Sequence, residues 1–523
     1  MTSTSLTTSA NPPAMPWHVL KFGGTSVGKF LEAITGDILK NALKTNRIVV
    51  VCSALSSDTK TKGTTTRLIR AAEEVLGQGD KHHLQIVDVI LEDHIRMAEA
   101  HITDPEILVQ VKAELIKECQ KLKVFLEAAE VIDEVSPRSR DIIIGTGEKL
   151  ACQIVAASLM DKGVDAQYLN LEKLIKKKFD VSSLDQSFYD YLAQALAEAV
   201  AGCGNKVPVL TGFFGPVPGS LLTTIGRGYT DLTAALTAVG ICAGELQIWK
   251  EVDGIFTADP RKVTSARLLK IITPEEAAEL TYYGSEVIHP FTMEQVIRAH
   301  IPIRIKNVQN PGGCGTIIFP DLSGGGSSRG SIRGSTSSSP THSPRLLLEN
   351  GYLLDLSRKH PTAVTIKDHV VVLNVHSNRK SVSHGFFAHI FSVLDRYNIV
   401  VDLISTSEVH VSMALGATMV ETNLQPAVEE LSRLGTVDIL RDMAILSLVG
   451  KHMRNMVGIA GKMFTTLAEA RVNIEMISQG ASEINISCVI HNKYAGAALR
   501  AIHDNLLACN RVSLVDDDND PDC

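Results

Sequence analysis

The sequence predicts an α/β protein: a mostly parallel sheet with helices on both faces, followed by two small α+β modules. Three observations carry this reading. Short apolar, β-branched runs ending in glycine or polar turns recur from the N-terminal part of the chain to Ile305, with helix-forming stretches between them. Strands that alternate with helices are joined by crossovers, which makes their sheet parallel and covers both its faces. Past a Gly- and Ser-rich stretch, a pattern of strand, glycine turn, amphipathic helix and two strands occurs twice, displaced by 73 residues.

The first unit is Val19-Leu20-Lys21-Phe22-Gly23-Gly24-Thr25-Ser26-Val27. An apolar run meets a lysine, two glycines and two hydroxyls, so a buried strand, a tight loop and a helix start follow one another. Glycine lets backbone N–H groups turn toward an anion with no Cβ in the way, and Lys21 adds a fixed positive charge. A nucleotide phosphate suits such a loop; a ligand-free turn is the plain alternative. Gly23 and Gly28-Lys29 come close to a P-loop, but Phe30 stands where that motif needs a hydroxyl for Mg²⁺.

Arg47 to Cys52 predicts the next strand, opening into a polar loop that runs to Gly63-Thr64-Thr65-Thr66, and residues 67–134 have helical composition. Asp141 to Ile144 predicts a further strand, with a turn and helix start at Gly145-Thr146-Gly147-Glu148-Lys149. Val207 to Leu210, Leu246 to Trp249 and Ile301 to Ile305 complete the series. One domain fits residues 17–320, with ligands expected outside the carboxyl ends of its strands. Residues 1–16, rich in Ser, Thr and Pro, read as disordered, 321–350 as a flexible linker and 511–523 as an acidic tail.

In the repeat, Gly385, Phe391, Leu394, Ile404 and Ser405 recur as Gly458, Phe464, Leu467, Ile477 and Ser478. The modules span 366–440 and 441–510. Each is small enough to favour pairing with another copy.

Composition bounds the function. A chain of 523 residues, 45% hydrophobic and 21% charged, suits a soluble protein of two to four domains. A net charge of -7 offers no nucleic-acid surface. Nine scattered cysteines without a C-x-x-C pair indicate neither a zinc site nor a disulfide framework, and no metal site is expected from protein ligands alone. With no run of eighteen apolar residues, and an N-terminus lacking an apolar h-region, the expectation is a cytoplasmic protein that meets no membrane.

Three further stretches carry chemistry. Gly226-Arg227-Gly228-Tyr229-Thr230-Asp231 joins flexible backbone, a guanidinium suited to gripping a carboxylate and an aspartate at a helix start. Thr230 or Asp231 as a mere helix cap is the alternative. Glu148 either stabilises a helix N-terminus or pairs with an ammonium group. Lys250 to Arg261 (KEVDGIFTADPR) reads as a loop in which Phe256 can wall off a base and Arg261 reach phosphates, and Glu286-Val287-Ile288-His289-Pro290 precedes a helix.

Together KFGGTSV, GTGEKL, GRGYTD, VDGIFTADPR, GSEVIHP and the tandem repeat resemble the aspartokinases, members of the amino-acid kinase superfamily that carry paired ACT modules. The fungal, monofunctional, threonine-sensitive type is the nearest in pattern. The resemblance implies the amino-acid kinase fold, and transfer of the ATP γ-phosphoryl to the side-chain carboxylate of L-aspartate with Mg²⁺, toward threonine and methionine. It implies Lys21 and Asp231 as catalytic residues with His289 in support, and Thr65, Glu148 and Arg227 as aspartate-binding. Nucleotide contacts fall to Lys21, Gly23, Gly24, Ser26, Lys250, Glu251, Phe256, Arg261, Glu286 and Val287, although many relatives carry Lys where Glu286 stands. Ser383, Phe386, Phe387, Val401, Asp402 and Ser407 would hold an amino-acid effector, threonine first and lysine as runner-up, and the ACT modules would join copies into a homo-oligomer. A relative acting on glutamate, N-acetylglutamate or a nucleoside monophosphate, an inactive regulatory subunit and a structural assembly protein are the competing functions.

Overall fold

The computed structural model describes residues 9–56, 63–77, 81–179, 184–217, 219–221, 225–226, 228–282, 288, 290–319, 360–377, 385–407, 410–416, 423–451, 453, 456–480 and 484–507. The chain divides into two units, one of residues up to Gly254 together with Ile288–Pro320, the other of Ile255–Val287 together with the chain from Asp321. Residues 255–287, which fall inside the run 17–320 expected for the first domain, group with the C-terminal part. The expected linker and acidic tail lie outside the described residues.

In the first unit the strands are β1 (Trp17–Phe22), β2 (Arg47–Cys52), β3 (Ala166–Leu169), β4 (Val207–Thr211), β5 (Glu245–Lys250), β6 (Ile303–Asn307) and β7 (Thr316–Ile318). They run side by side as β3-β4-β2-β1-β5-β6-β7. All these pairings are parallel except β6 with β7. The helices are α1 (Gly24–Glu32), α2 (Leu39–Leu43), α3 (Thr64–Glu74), α4 (His82–His101), α5 (Pro105–Ile132), α6 (Pro137–Asp161), α7 (Gln186–Ala201) and α8 (Tyr229–Gly240), with a further helix at Pro290–Arg298.

Burial of both sheet faces follows from the strand alternation. Leu20, Phe22, Ile48, Val50 and Cys52 share one core with α1, α3, α4, α5 and α6. The intervening Val19, Val49 and Val51 point the other way and are equally inaccessible, so helices cover that face too. Lys21 belongs to this second set, which aims it toward α8.

Two local expectations fail. Asp141–Ile144 is not a strand; it lies inside α6, which begins at a Ser136 cap and Pro137. Serine at the N-cap and proline at the first turn outweigh the β-branched run. Gly145 and Gly147 are consequently helical, and the bare face at Gly147 lets Ala54, Thr64 and Leu68 close in where a Cβ would stand within 2.9–3.1 Å of them. By length and composition α6 could cross a membrane, but 94% of its apolar window is buried inside the unit. Residues 9–16 are not loose either. The Asn11 amide donates to the carbonyls of Ile48 and Lys206, each at 3.0 Å, and accepts from Ile48 N at 2.7 Å, while Ser9 bridges to Val164. The amide satisfies backbone groups that a purely polar N-terminus gave no reason to expect.

The second unit holds β8 (Ala363–Ser377), α9 (Phe386–Arg396), β9 (Val401–Thr406), β10 (His410–Gly416), α10 (Leu424–Leu431), β11 (Gly435–Val449), α11 (Ile459–Glu469), β12 (Ile474–Ser478), β13 (Asn485–His491) and α12 (Ala495–Ile502). Its antiparallel sheet runs β9-β10-β8-β11-β13-β12, so the two repeats meet edge to edge along β8 and β11. Gly385 and Gly458 occupy the same place in each copy, just before the helix, with φ of 92° and 86°.

Residues 255–287 are held to this sheet by polar contacts. Glu276, buried, accepts from Thr362 Oγ1 at 2.6 Å, from Lys451 N at 2.9 Å and from Thr273 N at 3.0 Å. Thr273 and Glu276 form the reciprocal cap of the helix Pro274–Tyr282. Val364 N donates to Thr257 O at 2.8 Å, and Ala258 and Val263 join the apolar core of the second repeat.

The paired glycines give a direct test. A Cβ at Gly458 would meet nothing within 4 Å, and one at Gly385 only His389 at 3.8 Å. Alanine at either position should therefore cost the left-handed backbone strain alone, about 1–2 kcal/mol, measured as similar losses in chemical denaturation of the two variants.

Candidate active site

Parallel strands put the ends of β1, β2, β4 and β5 on one side of the sheet, where Gly23, Ser53, Gly212 and Glu251 begin their loops. Lys21, the fifth residue of β1, is buried and forms an ion pair with Asp231 Oδ1 at 2.7 Å. Asp231 stands in the first turn of α8, where the helix dipole favours a carboxylate. Immediately beside it, Thr230 Oγ1 donates to Glu148 Oε1 at 2.9 Å, which brings α6 and α8 together over the sheet edge. Thr233, one turn on, donates to the Gly212 and Tyr229 carbonyls and pins α8 to the end of β4.

Glu148 is fully buried, and its Oε2 accepts no hydrogen bond among the described residues. Burial pushes its pKa up to about 7, against the opposing pull of the Thr230 and Tyr229 hydroxyls, the Phe213 backbone and the Lys21 charge. An ammonium group placed at Oε2 would supply the missing partner.

Facing these residues, α1 begins at Gly23, which offers no side-chain cap, so the first-turn N–H groups are left to an outside acceptor. Gly24 is required by space: a Cβ there would stand 2.0 Å from the Ala54 carbonyl oxygen, so the β1 and β2 loops touch backbone to backbone. Ser26 is buried and donates to Glu251 Oε1 at 2.6 Å, tying α1 to the end of β5. Two residues expected to contact nucleotide thus hold each other in place. Thr65 is half-buried in the first turn of α3, whose neighbour Thr64 lies against Gly147.

The other expected residues divide. Arg227, Glu286, Val287, His289 and Ser383 lie outside the described residues. Lys250 closes β5 in the first unit, whereas Phe256 and Arg261 belong to the second. Phe256 is bridged to Leu268. Arg261 is 88% exposed and grips Asp259 through two contacts of 3.0 and 2.9 Å, which hold the Asp259 pKa down. In the first repeat, Phe386 is buried, Phe387 exposed, and Asp402 is paired with Lys367 at 2.8 Å. Val401 and Ser407 flank β9 at its two ends.

Sequence reasoning missed Thr230 as the partner of Glu148, although its place beside Asp231 in the GRGYTD block was the available signal. It also missed Asp141, which accepts from Ser220 Oγ at 2.7 Å and Leu221 N at 2.8 Å and so anchors the segment leading to Arg227.

Mg²⁺ takes one or two carboxylates together with phosphate oxygens and water. Asp231 fits that role, since its buried Oδ1 meets the Lys21 ammonium but accepts no aligned hydrogen bond among the described residues.

Comparison with known proteins decides the family. The model of the amino acid kinase family matches residues 16–307, and that of an ACT domain residues 446–506. An aspartokinase of Schizosaccharomyces pombe is 56% identical over 499 residues, covering 95% of this chain and 94% of the relative. The chain belongs to the aspartokinase family. Two solved structures extend the likeness to the fold. Escherichia coli aspartokinase III in complex with lysine and aspartate, a T-state, superposes with a TM-score of 0.73 at 26% identity over 94% of this chain and 99% of that one. The same enzyme with aspartate and ADP, an R-state, gives 0.68 at 28% identity over 94% and 100%.

The raised Glu148 pKa has a sign that can be tested. The folded protein holds this proton more tightly than the unfolded chain, so the stability it contributes is present below its ordinary 4.5 and lost as pH rises through about 7. Across that window the wild type should lose about 3 kcal/mol relative to Glu148→Gln, read from denaturation midpoints of both proteins at pH 5 and pH 8.

Proposed function

We propose that the chain performs the reaction of its family, transfer of the ATP γ-phosphoryl to the β-carboxylate of L-aspartate, giving 4-phospho-L-aspartate and ADP. Membership of the aspartokinases makes it an ATP-dependent aspartate kinase. The observation that carries the finer reading is the convergence of Lys21, Asp231 and Glu148 at the carboxyl ends of one parallel sheet.

A β-carboxylate is ionised at neutral pH and attacks phosphorus without a general base. One carboxylate oxygen bonds to the γ-phosphorus while the bond to the bridging β–γ oxygen breaks, and that oxygen leaves with its electron pair on ADP. Catalysis then consists of positioning and charge stabilisation. Lys21 is placed to neutralise charge on the transferred group, and the start of α1 with Gly23 and Gly24 offers N–H donors to phosphate. Bound Mg²⁺ would neutralise phosphate charge, held on the protein side by Asp231. Glu148, once ionised, pairs with the substrate ammonium and Arg227 with its α-carboxylate, with Thr65 alongside. His289 supports the site without acting as a base, and Lys250, Phe256, Arg261, Glu286 and Val287 serve the nucleotide.

Regulation follows the same likeness. The first repeat is the effector site, through Ser383, Phe386, Phe387, Val401, Asp402 and Ser407, with threonine as the inhibitor of this first step toward threonine and methionine. The paired ACT modules join copies into a homo-oligomer, and the composition suits the cytoplasm. The aspartate bound in the two Escherichia coli complexes and the ADP in one support the substrate pair, while the lysine in the other keeps lysine as the runner-up effector.

A coupled ADP-release assay tests these points together. L-Aspartate should be turned over and L-glutamate not, L-threonine should inhibit more strongly than L-lysine, and Lys21→Ala should lower kcat by roughly 10²–10³-fold with unchanged circular dichroism. Preference for glutamate, or a fully active Lys21→Ala enzyme, would overturn the assignment.

A further inference from the structure

We propose that Asn307 and Asn310, at and just beyond the end of β6, are positioning residues for nucleotide. Through Asp253 they hold the turn after β5 in the shape that receives ATP, without touching it themselves. This rests on the reading of Lys250 and Glu251 as nucleotide contacts, and adds the residues that keep them in place. Topology sorts the two substrates along the sheet edge, where the strands follow one another as β4-β2-β1-β5-β6. The aspartate-binding residues gather on the β4 and β2 side. Thr230, which bonds Glu148, closes on Gly212 at the end of β4, and Gly147 packs on Ala54 and Thr64 beyond β2. The start of α1, read as the phosphate cradle, follows β1, and the turn Glu251–Gly254 follows β5. A change confined to that turn therefore reaches nucleotide and leaves aspartate alone.

The turn is tied at two points. On the α1 side, Glu251 Oε1 accepts from Ser26 Oγ at 2.6 Å. On the β6 side a single oxygen, Asp253 Oδ1, accepts from Asn307 Nδ2 at 3.1 Å and from Asn310 Nδ2 at 3.2 Å. Asn307 stands opposite Lys250 in the parallel register, and Val308 N donates to Lys250 O at 2.9 Å. Past that bond the two chains part, and the asparagines carry the pairing on by their side chains. Asn307 is 9% exposed and its Oδ1 accepts from Gln309 N at 2.9 Å, so both ends of a buried amide are committed to one geometry. The ladder already joins β5 to β6 from Leu246–Ile303 to Lys250–Asn307. Bonds added beyond it fix the turn rather than the strands.

Exchanging donor and acceptor tests the assignment. In the full-length protein, Asn307→Asp sets a second carboxylate against Asp253 and should raise the KM for ATP roughly tenfold. The KM for L-aspartate should stay within about twofold of wild type. Adding Asp253→Asn reverses the pair, since an amide at 253 can donate to a carboxylate at 307, and should bring the KM for ATP back to within about threefold. Asn310→Ala, at an exposed position, should raise it by a smaller factor. Calorimetric titration with Mg²⁺-ADP should show the same order of Kd values without turnover. A chain inactive on aspartate would sink the proposed reaction and leave that titration standing as the test of the clamp. An unchanged nucleotide KM and Kd in Asn307→Asp, an equal rise for aspartate, or a double variant no better than the single one would each overturn the proposal. So would a lowered denaturation midpoint with both KM values intact, which would mark the cluster as structural.

Discussion

A lysine and an aspartate, each almost out of reach of water and 2.7 Å apart, set the conditions for everything around them. Two charges withdrawn from solvent at such a place cost more than an apolar pair would, and removing either leaves the other uncompensated. The fold tolerates them because Lys21 stands next to last in a strand flanked by β2 and β5, while Asp231 lies in the first turn of a helix whose dipole supports its charge. The backbone contact at Gly24, the Ser26–Glu251 bond and the Thr230–Glu148 bond then fix the surrounding loops against this pair. The site is a polar knot tied at the open end of an otherwise apolar sheet.

Glu148 completes that knot in a different state. Lys21 is compensated by a carboxylate, but for Glu148 the cost of burial outweighs the Thr230 and Tyr229 hydroxyls, the Phe213 backbone and the Lys21 charge, so it is poised between charged and neutral near physiological pH. A group in that condition is sensitive to what occupies the space beside it: a cation drives it to ionise, an apolar neighbour keeps its proton.

Much of this was legible in the residues. The strand-lysine-glycine pattern at 19–27 located β1, α1 and Lys21, and the GRGYTD block located Asp231, because glycine turns and short apolar runs are local signals. The repeat was visible for the same reason, and its two left-handed glycines fall where the displacement puts them. What the sequence concealed was tertiary. Asp141–Ile144 imitates a strand because a helix buried on all sides also reads as an apolar run; only Ser136-Pro137 betrayed it. The docking of Asn11 and the alliance of residues 255–287 with the C-terminal sheet left no periodic mark, since each depends on single side chains meeting distant backbone.

That alliance bears on how such a chain can be taken apart. Polypeptide passes from one unit to the other after Gly254, again after Val287 and once more after Pro320. A protein ending near residue 320 would retain Ala258, Val263 and Glu276 but lack the apolar core that shelters the first two and the Thr362 hydroxyl and Lys451 N–H that donate to the third. Because residues 255–287 group with the C-terminal part, no single cut in the chain separates the two units.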